Sequence, residues 1–231
     1  NNVYNDLKVV VIQNNHWKKA KWGLKPKYVK DQQIVYNNDQ DNVFSGGSEF
    51  RNFNIKSLRY HSERVSEIKQ DTFVNHVVLL PDEKRSFKVY ATEADINGNF
   101  VIKAEDAVNK SSETEGDYCT VSFFLPCNEL FTEGNLYIFG GFNGWNFGPE
   151  NKLSYDVKRT GYVCNLYLKQ GYYNYEYAFL KDDSKEMDET LIEGSHFETE
   201  NEYTIMVYYR FPGTFYDQLI LVKRINSSKD K

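Results

Sequence analysis

The sequence predicts an all-β protein made of two tandem β-sandwich domains. Its 18 Tyr and 16 Phe against only 2 Met suit the pleated, half-buried surface of a sheet better than a helix. After a tight turn at Gly171, aromatic rings recur at alternate positions, which places Tyr173, Tyr175, Tyr177 and Phe179 on one face of a strand. Such a face needs a second sheet packed against it. At 231 residues, the chain is long enough for two sandwiches.

Short strands and polar turns make up the first predicted domain, residues 1–112. The strands are predicted at residues 7–12, 34–36, 55–58, 65–68, 73–80, 87–91 and 100–103. Residues 16–33, rich in Lys and Trp, are predicted to form a long irregular connection. We expect its lysines to be solvated. Trp17 and Trp22 are expected to pack over a sheet edge, and a binding surface is the alternative.

A polar run, Asn-Lys-Ser-Ser-Glu-Thr-Glu-Gly at residues 109–116, is predicted to be the domain boundary. The second domain then covers residues 117–231. Its strands are predicted at residues 119–125, 136–139, 164–168, 173–179, 203–209 and 219–222. Cys119 and Cys164 lie on the apolar faces of two of them, and we expect free, buried thiols there; a disulfide is the alternative.

The charge and hydropathy of the chain exclude several classes of protein. A net charge of −5 and a pI near 5.5 are not those of a nucleic-acid-binding surface, so we expect no nucleic-acid partner. No run of about 18 apolar residues is present, and we therefore expect no membrane span. No signal-peptide pattern opens the chain. Because it begins with Asn1, we expect it to be a fragment of a longer protein.

Local signatures of catalysis are missing from the sequence. There is no nucleophile elbow, no His-Glu-x-x-His, and no Cys-x-x-Cys spacing for a metal. The Asp-Ile-Asn-Gly-Asn run at residues 95–99 does not have the spacing of a calcium loop, and Asn97-Gly98 instead predicts a tight hairpin. We expect no catalytic residue, no metal and no cofactor. A carboxylate pair assembled from distant strands, as in glycosidases, is the alternative.

Two stretches carry the candidate binding residues. In the first, Glu49 and Arg51 flank Phe50 after Gly46-Gly47. An acid and a base two positions apart share a face of a strand, and we expect an ion-pair network at a corner of the sandwich rather than a catalytic pair. The second is Phe142-Asn143-Gly144-Trp145, where glycines around two rings predict a sharp chain reversal.

The second stretch resembles a known module. Phe-Asn-Gly-Trp after a strand, followed by the Gly-Tyr-Tyr-x-Tyr strand that starts at Gly171, is similar to the early-set immunoglobulin-like fold of glycogen-binding domains. This resemblance implies that Trp145 stacks on sugar. Those modules also have a Lys on the Tyr-rich strand and a later Trp, whereas Glu176 occupies the matching position here and no Trp follows it. Trp145 is therefore expected to determine the fold.

A second resemblance covers most of the chain. The motifs are Gln13-Asn14, Gly46 to Arg51, Asp95 to Asn99, Asp117-Tyr118, Leu168 to Tyr175, Glu193-Gly194, Thr199 to Asn201 and Tyr216-Asp217. Their order and spacing resemble the plug protein family of the type IX secretion system, with Ser48 where that family has Asn. The resemblance implies a non-catalytic, periplasmic protein of the cell envelope.

The function expected from this resemblance is binding to another protein. The partner that it implies is the outer-membrane secretion translocon, whose inner mouth the plug closes. The alternative is a carbohydrate-binding module that contacts a glycan through Trp145 and nearby aromatic rings. Phe142, Asn143, Trp145, Glu49 and Arg51 are the candidate contact residues.

Overall fold

The computed structural model describes residues 6–31, 33–37, 42–107, 111–184 and 187–228. These residues form many strands and few helical turns, which confirms the predicted all-β class. No helix in the described ranges is long and apolar enough to cross a membrane. The chain divides into two units, which are unit 1 (Asn1–Gly46 with Glu200–Lys231) and unit 2 (Gly47–Thr199).

The helical pieces are one turn each. They are 3-10 turns at Trp17–Lys19 and Gly141–Asn143 and α-helical turns at Ser112–Glu115 (α1) and Thr190–Glu193 (α2). The strands are β1 (Leu7–Gln13), β2 (Lys21–Leu24), β3 (Tyr28–Lys30), β4 (Gln33–Val35), β5 (Arg51–Asn54), β6 (Val65–Lys69), β7 (Asn75–Leu79), β8 (Phe100–Ile102), β9 (Tyr118–Pro126), β10 (Gly134–Phe139), β11 (Ser154–Asp156), β12 (Gly161–Lys169), β13 (Gly171–Lys181), β14 (Met187–Asp188), β15 (Glu202–Tyr209) and β16 (Gln218–Asn226).

Unit 2 is a β-sandwich of two five-stranded sheets. In one sheet the long strand β13 pairs with β10, β14, β5 and β8, all antiparallel. The other sheet has the order β11-β12-β9-β7-β6, in which β7 and β9 are parallel. Side chains of both sheets meet in one apolar core, as the alternation along β13 predicted. Tyr173, Tyr175 and Tyr177 are each at most 2% exposed, and Phe53 stacks on Tyr173 with ring centroids 5.2 Å apart.

Unit 1 is built from both ends of the chain. Its four-stranded sheet has the order β16-β15-β1-β2, so that β16 and β2 form opposite edges. β1 pairs with β15 from Leu7 opposite Tyr209 to Gln13 opposite Tyr203. A separate hairpin is formed by β3 and β4. A hydrogen bond connects the two segments of unit 1, because the side chain of Asn14 donates to Asn201 Oδ1 at 2.7 Å.

The predicted division into residues 1–112 and 117–231 was wrong. β7 pairs with β9, and β13 pairs with β5 and β8, so strands from both predicted domains share the two sheets of unit 2. The polar run at 109–116 connects two strands of one sandwich; its residues 111–116 include α1, and 109–110 lie outside the described residues. Composition marks a surface connection, but it does not show which strands pair across it.

Other local predictions also need correction. Residues 55–58 and 87–91 contain no strand, and β5 ends at Asn54, just before the first of these predicted strands. The connection at 16–33 is not irregular, because it contains β2 and β3. Trp17 and Trp22 are 46% and 62% exposed, so they are not packed over a sheet edge as expected; their ring centroids lie 6.0 Å apart.

The three cysteines are free, as expected. The pairing of β9 with β12 places Cys119 opposite Leu168 and Cys164 opposite Phe123. The two cysteines are thus offset by four residues along the sheet, roughly 13 Å, whereas a disulfide needs Cα atoms about 4.4–6.8 Å apart. Burial raises the pKa of the Cys119 thiol and of the Cys164 thiol to about 12, which keeps both protonated at neutral pH.

These properties predict selective alkylation. In the folded protein at about pH 8, Cys127, which is half-buried, should react with iodoacetamide while Cys119 and Cys164 stay unmodified. In denaturant without reductant, all three should be alkylated, and mass spectrometry of the peptides reads out each site. A Cys119–Cys164 pair that remains protected in denaturant would contradict the free-thiol assignment.

Candidate functional site

The Gly140–Trp145 stretch forms a strained turn at the end of β10. One 3-10 turn covers Gly141–Asn143, and the backbone N–H of Trp145 donates to the carbonyl of Gly140 at 3.1 Å. Gly144 and Trp145 both have positive φ, at 62° and 57°. This backbone region suits glycine but is unfavourable for a bulky residue, so the surrounding packing must hold Trp145 in place.

Trp145 packs into the interior of unit 2. Its side chain is 6% exposed, and its ring lies edge-on to Phe50 and Phe139, with centroids 5.9 and 5.4 Å away. A Cβ added to Gly98 would lie 2.5 Å from Cη2 of Trp145, so only glycine fits beneath the indole there. The face that would stack on a sugar is thus covered by protein, which agrees with the expected role in the fold.

The other two candidates of this turn also have contacts within the protein. Asn143 accepts a hydrogen bond from the backbone N–H of Gly140 at 3.3 Å and donates one to the carbonyl of Ile138 at 3.0 Å, which closes the turn. The half-buried ring of Phe142 lies edge-on to Tyr173 at 5.8 Å. Both side chains therefore stabilise the turn.

The loop at residues 95–99 packs beside this turn. Asn97 and Gly98 have φ of 53° and 75°, which confirms the tight turn predicted from the Asn-Gly pair, although no strand at 87–91 completes a hairpin. The carboxylate of Asp95 accepts from the backbone N–H of Phe50 at 2.6 Å. The backbone N–H of Gly141 donates to the carbonyl of Gly98 at 2.8 Å. Three motifs distant in sequence therefore meet around Phe50 and Trp145.

Glu49 and Arg51 lie on either side of Phe50 and are both buried. Glu49 accepts a hydrogen bond from the hydroxyl of Tyr90. Arg51 forms ion pairs with Glu193 at 2.9 Å and with Asp82 at 3.1 Å. The expected ion-pair network is present, but Arg51 pairs with carboxylates that are distant in the sequence, one in a loop and one at the end of α2, and not with Glu49.

The buried ion cluster consists of Arg51, Asp82, Glu193 and the groups that contact them. Asp82 accepts hydrogen bonds from the hydroxyls of Tyr175 and Tyr177, both at 2.7 Å. Glu193 accepts from the backbone N–H of Tyr177 at 2.9 Å. Two more arginines complete the cluster, namely Arg64 on Asp82 at 2.7 Å and Arg85 on Glu193 at 2.7 Å. Each buried charge therefore has charged and hydrogen-bonding partners.

The electrostatics of the cluster favour fixed charges. Burial alone would raise the pKa of Glu193, but the guanidinium groups of Arg51 and Arg85 and the hydrogen bonds to the carboxylate together outweigh burial and hold the pKa below the ordinary value of a glutamate. Burial also opposes the charge of Arg51, yet Glu193 and Asp82 raise its pKa. Burial, followed by the Asp82 carboxylate, raises the pKa values of Tyr175 and Tyr177 well above normal, so both remain hydrogen-bond donors.

A polar cleft of about 710 Å³ lies over the cluster. Its wall carries four basic and three acidic side chains, namely Arg51, Arg64, Arg85, Lys88, Glu63, Glu83 and Glu93. Among the described residues, no Ser, Cys or His lines it, and no group of three His, Cys, Asp or Glu side chains could hold a metal ion. The arrangement supplies paired charges, and carboxylates are the acidic groups of its wall.

Sequence reasoning found part of this arrangement and missed the rest. It singled out Glu49, Arg51 and the Tyr-rich strand, but it missed Asp82, Arg64 and Arg85. These three lie in loops or beside short strands, where a charged residue is ordinary. Only the pairing of the strands brings them together, so no local signal could have identified them.

Comparisons with known proteins identify similarity to a solved structure. No family model matches the chain, and no curated protein does. The crystal structure of a hypothetical protein from Parabacteroides merdae is similar, with 32% identity and a TM-score of 0.89. The match covers 98% of this chain and 56% of that one, so this chain spans about half the length of that protein. The similarity supports the fold, and function must be inferred from geometry.

Replacing Trp145 by Ala should destabilise unit 2. Removing a buried aromatic ring from a core typically costs about 3–5 kcal/mol, and here the strained turn also loses the contacts that hold it. Thermal and urea unfolding of the variant should show this loss. Phe197→Ala is a matched control, because that ring is 92% exposed and its loss should cost less than about 0.5 kcal/mol. Equal stability of both variants would mean that Trp145 is a surface contact.

Glu193→Gln should destabilise unit 2 and change its response to acid. The change leaves Arg51 and Arg85 facing a neutral group, which costs about 3–5 kcal/mol. Because the folded pKa of Glu193 is lowered, its stabilisation is complete above the unfolded value of about 4.3 and is lost as pH falls through the folded value. As the pH falls below about 4.3, the free energy of unfolding should therefore decrease less in the variant than in the wild type.

Urea denaturation at several pH values measures this effect. With Trp17 and Trp22 both replaced by Phe, Trp145 is the sole tryptophan and reports on unit 2. Glu133→Gln is the control, since its carboxylate is 78% exposed and bridges Lys181 alone among the described residues. Identical pH dependence in the wild type and in Glu193→Gln would contradict a charged Glu193.

Proposed function

We propose that the chain acts without catalysis, by binding another protein in the cell envelope. Its proposed role is the one that the sequence resembles, the periplasmic plug component of the type IX secretion translocon. The observation that supports binding is an exposed apolar surface on unit 1, here called the hairpin surface. It comprises Phe211, Phe215, Tyr216 and the β16 residues Leu219, Ile220, Leu221 and Val222.

The hairpin surface is more apolar than a solvent-exposed protein surface usually is. The four β16 residues are 49–51% exposed, although they alternate between the two faces of the strand. In the connection before β16, Phe215 is 99% exposed and Tyr216 is 60% exposed. Single exposed hydrophobic residues are common, but a contiguous group of this kind marks an interaction site.

Its position suits the addition of a strand from a partner. β16 is an edge of the four-stranded sheet, and it pairs with β15 through a bulge beside Val207. An edge strand presents backbone N–H and C=O groups to one side, and an extended segment of a partner can pair with them. Apolar side chains on both faces of β16 would then be covered by neighbouring groups of that partner. Backbone pairing provides affinity, and the side chains provide specificity.

The geometry of unit 2 favours a structural role for the motif residues. Glu49, Arg51, Asn143 and Trp145 contact other residues of the same unit and are buried or half-buried. A glycan could stack on Trp145 only if the turn opened, so its burial does not support the carbohydrate-binding alternative. Protein binding through unit 1 is therefore the better-supported function.

The experiment compares co-purification of full-length protein variants with the outer-membrane translocon. Leu221→Lys puts a charge into the hairpin surface, and burying it at an interface should cost about 2 kcal/mol or more, roughly 30-fold in affinity. Val157→Lys is the control, because Val157 is 80% exposed and lies in a turn of unit 2. We expect the first variant to lose the translocon and the second to retain it, with both melting like the wild type.

Two outcomes would contradict the proposal. The first is undiminished co-purification of both Leu221→Lys and a second hairpin variant, Phe215→Lys. The second is a large loss of thermal stability in full-length Leu221→Lys. That result would show that the hairpin surface is covered by another part of the same polypeptide and is not available to a partner.

A further inference from the structure

We propose that the basic aromatic segment of unit 1, residues 17–30, docks on the surface of an anionic phospholipid bilayer. This inference goes beyond the protein-binding function and uses different residues. β2 lies within the segment and forms the sheet edge opposite β16, which carries the hairpin surface. The proposed mode is interfacial, with side chains in the headgroup region and no crossing of the bilayer.

The charge of the segment is opposite in sign to that of the whole chain. Six lysines lie within residues 17–30, and no Asp or Glu occurs between Asp6 and Asp31, whereas the chain carries −5. Lys25, Lys27 and Lys30 are exposed and form no ion pair with a described residue. By contrast, Lys8 in β1 bridges Asp217 at 2.6 Å. Lys25, Lys27 and Lys30 therefore offer ammonium groups to an anionic surface.

Exposed aromatic rings lie among these lysines. Trp17 and Trp22 are 46% and 62% exposed, and Tyr28 and Val29 are 45% and 47% exposed. Indole and phenol rings have an apolar body and a polar edge, which is why both concentrate at membrane interfaces. An anionic lipid surface can accept the ammonium groups and the rings at the same time. The lysine stems can also lie along the acyl boundary while their charges stay among the headgroups.

The segment is held on regular structure. The 3-10 turn Trp17–Lys19 leads into the edge strand β2, and β3 belongs to the hairpin with β4. The rings and Lys30 are therefore displayed on turns or strands, which reduces the entropy lost on binding, and Lys25 and Lys27 lie in the short connection between β2 and β3. Nucleic acid would also attract lysines and stack on rings, but the segment has no Arg, the side chain that recognises phosphate in a bidentate manner. The mixture of Lys, Trp, Tyr and Val favours lipid.

The test measures binding of the full chain to vesicles at low ionic strength. The vesicles are made of phosphatidylcholine with phosphatidylglycerol or of phosphatidylcholine alone. We expect sedimentation with the anionic vesicles only, a blue shift of tryptophan fluorescence, and weaker binding as salt is added. Replacing Lys25, Lys27 and Lys30 by Gln should weaken binding on the order of 100-fold, since each lysine near an anionic surface contributes about fivefold. Trp22→Ala should weaken binding and reduce the blue shift.

The matched control replaces Lys69, Lys103 and Lys158 by Gln. These residues of unit 2 are also exposed, and the change in net charge is the same; Lys69 and Lys103 differ from the segment lysines in that each has a glutamate within 4 Å. We expect this control to bind vesicles like the wild type. Equal weakening in the control and in the segment variant would overturn the proposal, because binding would then follow net charge alone. So would equal binding to both kinds of vesicle, or no binding to either.

A competing partner is tested in the same way. Tighter binding to a single-stranded oligonucleotide than to anionic vesicles, with the same dependence on Lys25, Lys27 and Lys30, would overturn the proposal in favour of nucleic acid. The vesicles contain no protein. A negative result with lipid therefore leaves the co-purification experiment on the hairpin surface unaffected, and the two proposals can fail separately.

Discussion

The buried charge of Arg51 is the constraint on which much of unit 2 depends. A guanidinium removed from water destabilises the fold unless carboxylates and carbonyls surround it, and here Asp82, Glu193 and the carbonyl of Glu83 do so. These partners come from the loop at residues 82–83 and from α2, so one buried guanidinium holds two distant segments in place. Phe50, next to Arg51, extends this constraint to Trp145 through ring contact. The strained turn and the ion cluster are therefore parts of one packed region.

The sequence was sufficient to predict features that repeat along one strand or turn. It was not sufficient to predict which distant strands pair. Alternation identified the inner face of β13, and the Asn97-Gly98 pair identified a tight turn, because both signals depend on neighbouring residues. The division into units could not be predicted, since it depends on β1 pairing with β15 at the other end of the chain. For the candidate site, the sequence indicated an ion-pair network at Arg51 but not its partners. Trp17 and Trp22 were wrongly expected to pack over a sheet edge, because the sequence does not show which residues, if any, cover a ring there.

The candidate site residues and the two proposed binding surfaces lie in different units of this protein. The motifs around Glu49, Arg51 and Trp145 are interior to unit 2, where they maintain the sandwich. Unit 1 exposes apolar residues at the β16 edge of its sheet and Trp22 at the β2 edge, with exposed lysines in the connection and the hairpin that follow β2. The motifs that carry the resemblance therefore indicate mainly how the chain folds. The exposure of charged and apolar side chains, which the structure provides, indicates what the chain binds.

The interleaved order of the two units has a consequence for biosynthesis. All of unit 2 is encoded between β1 and its partner β15, so a ribosome finishes the sandwich before the first sheet can be completed. At typical translation speeds, the interval between these two strands is roughly 10–40 s. Throughout that time Val9, Val10 and Ile12, which are buried in the finished protein, have no β15 to pair with. A nascent chain with such a strand is a natural client for a chaperone that shields apolar segments until synthesis is complete.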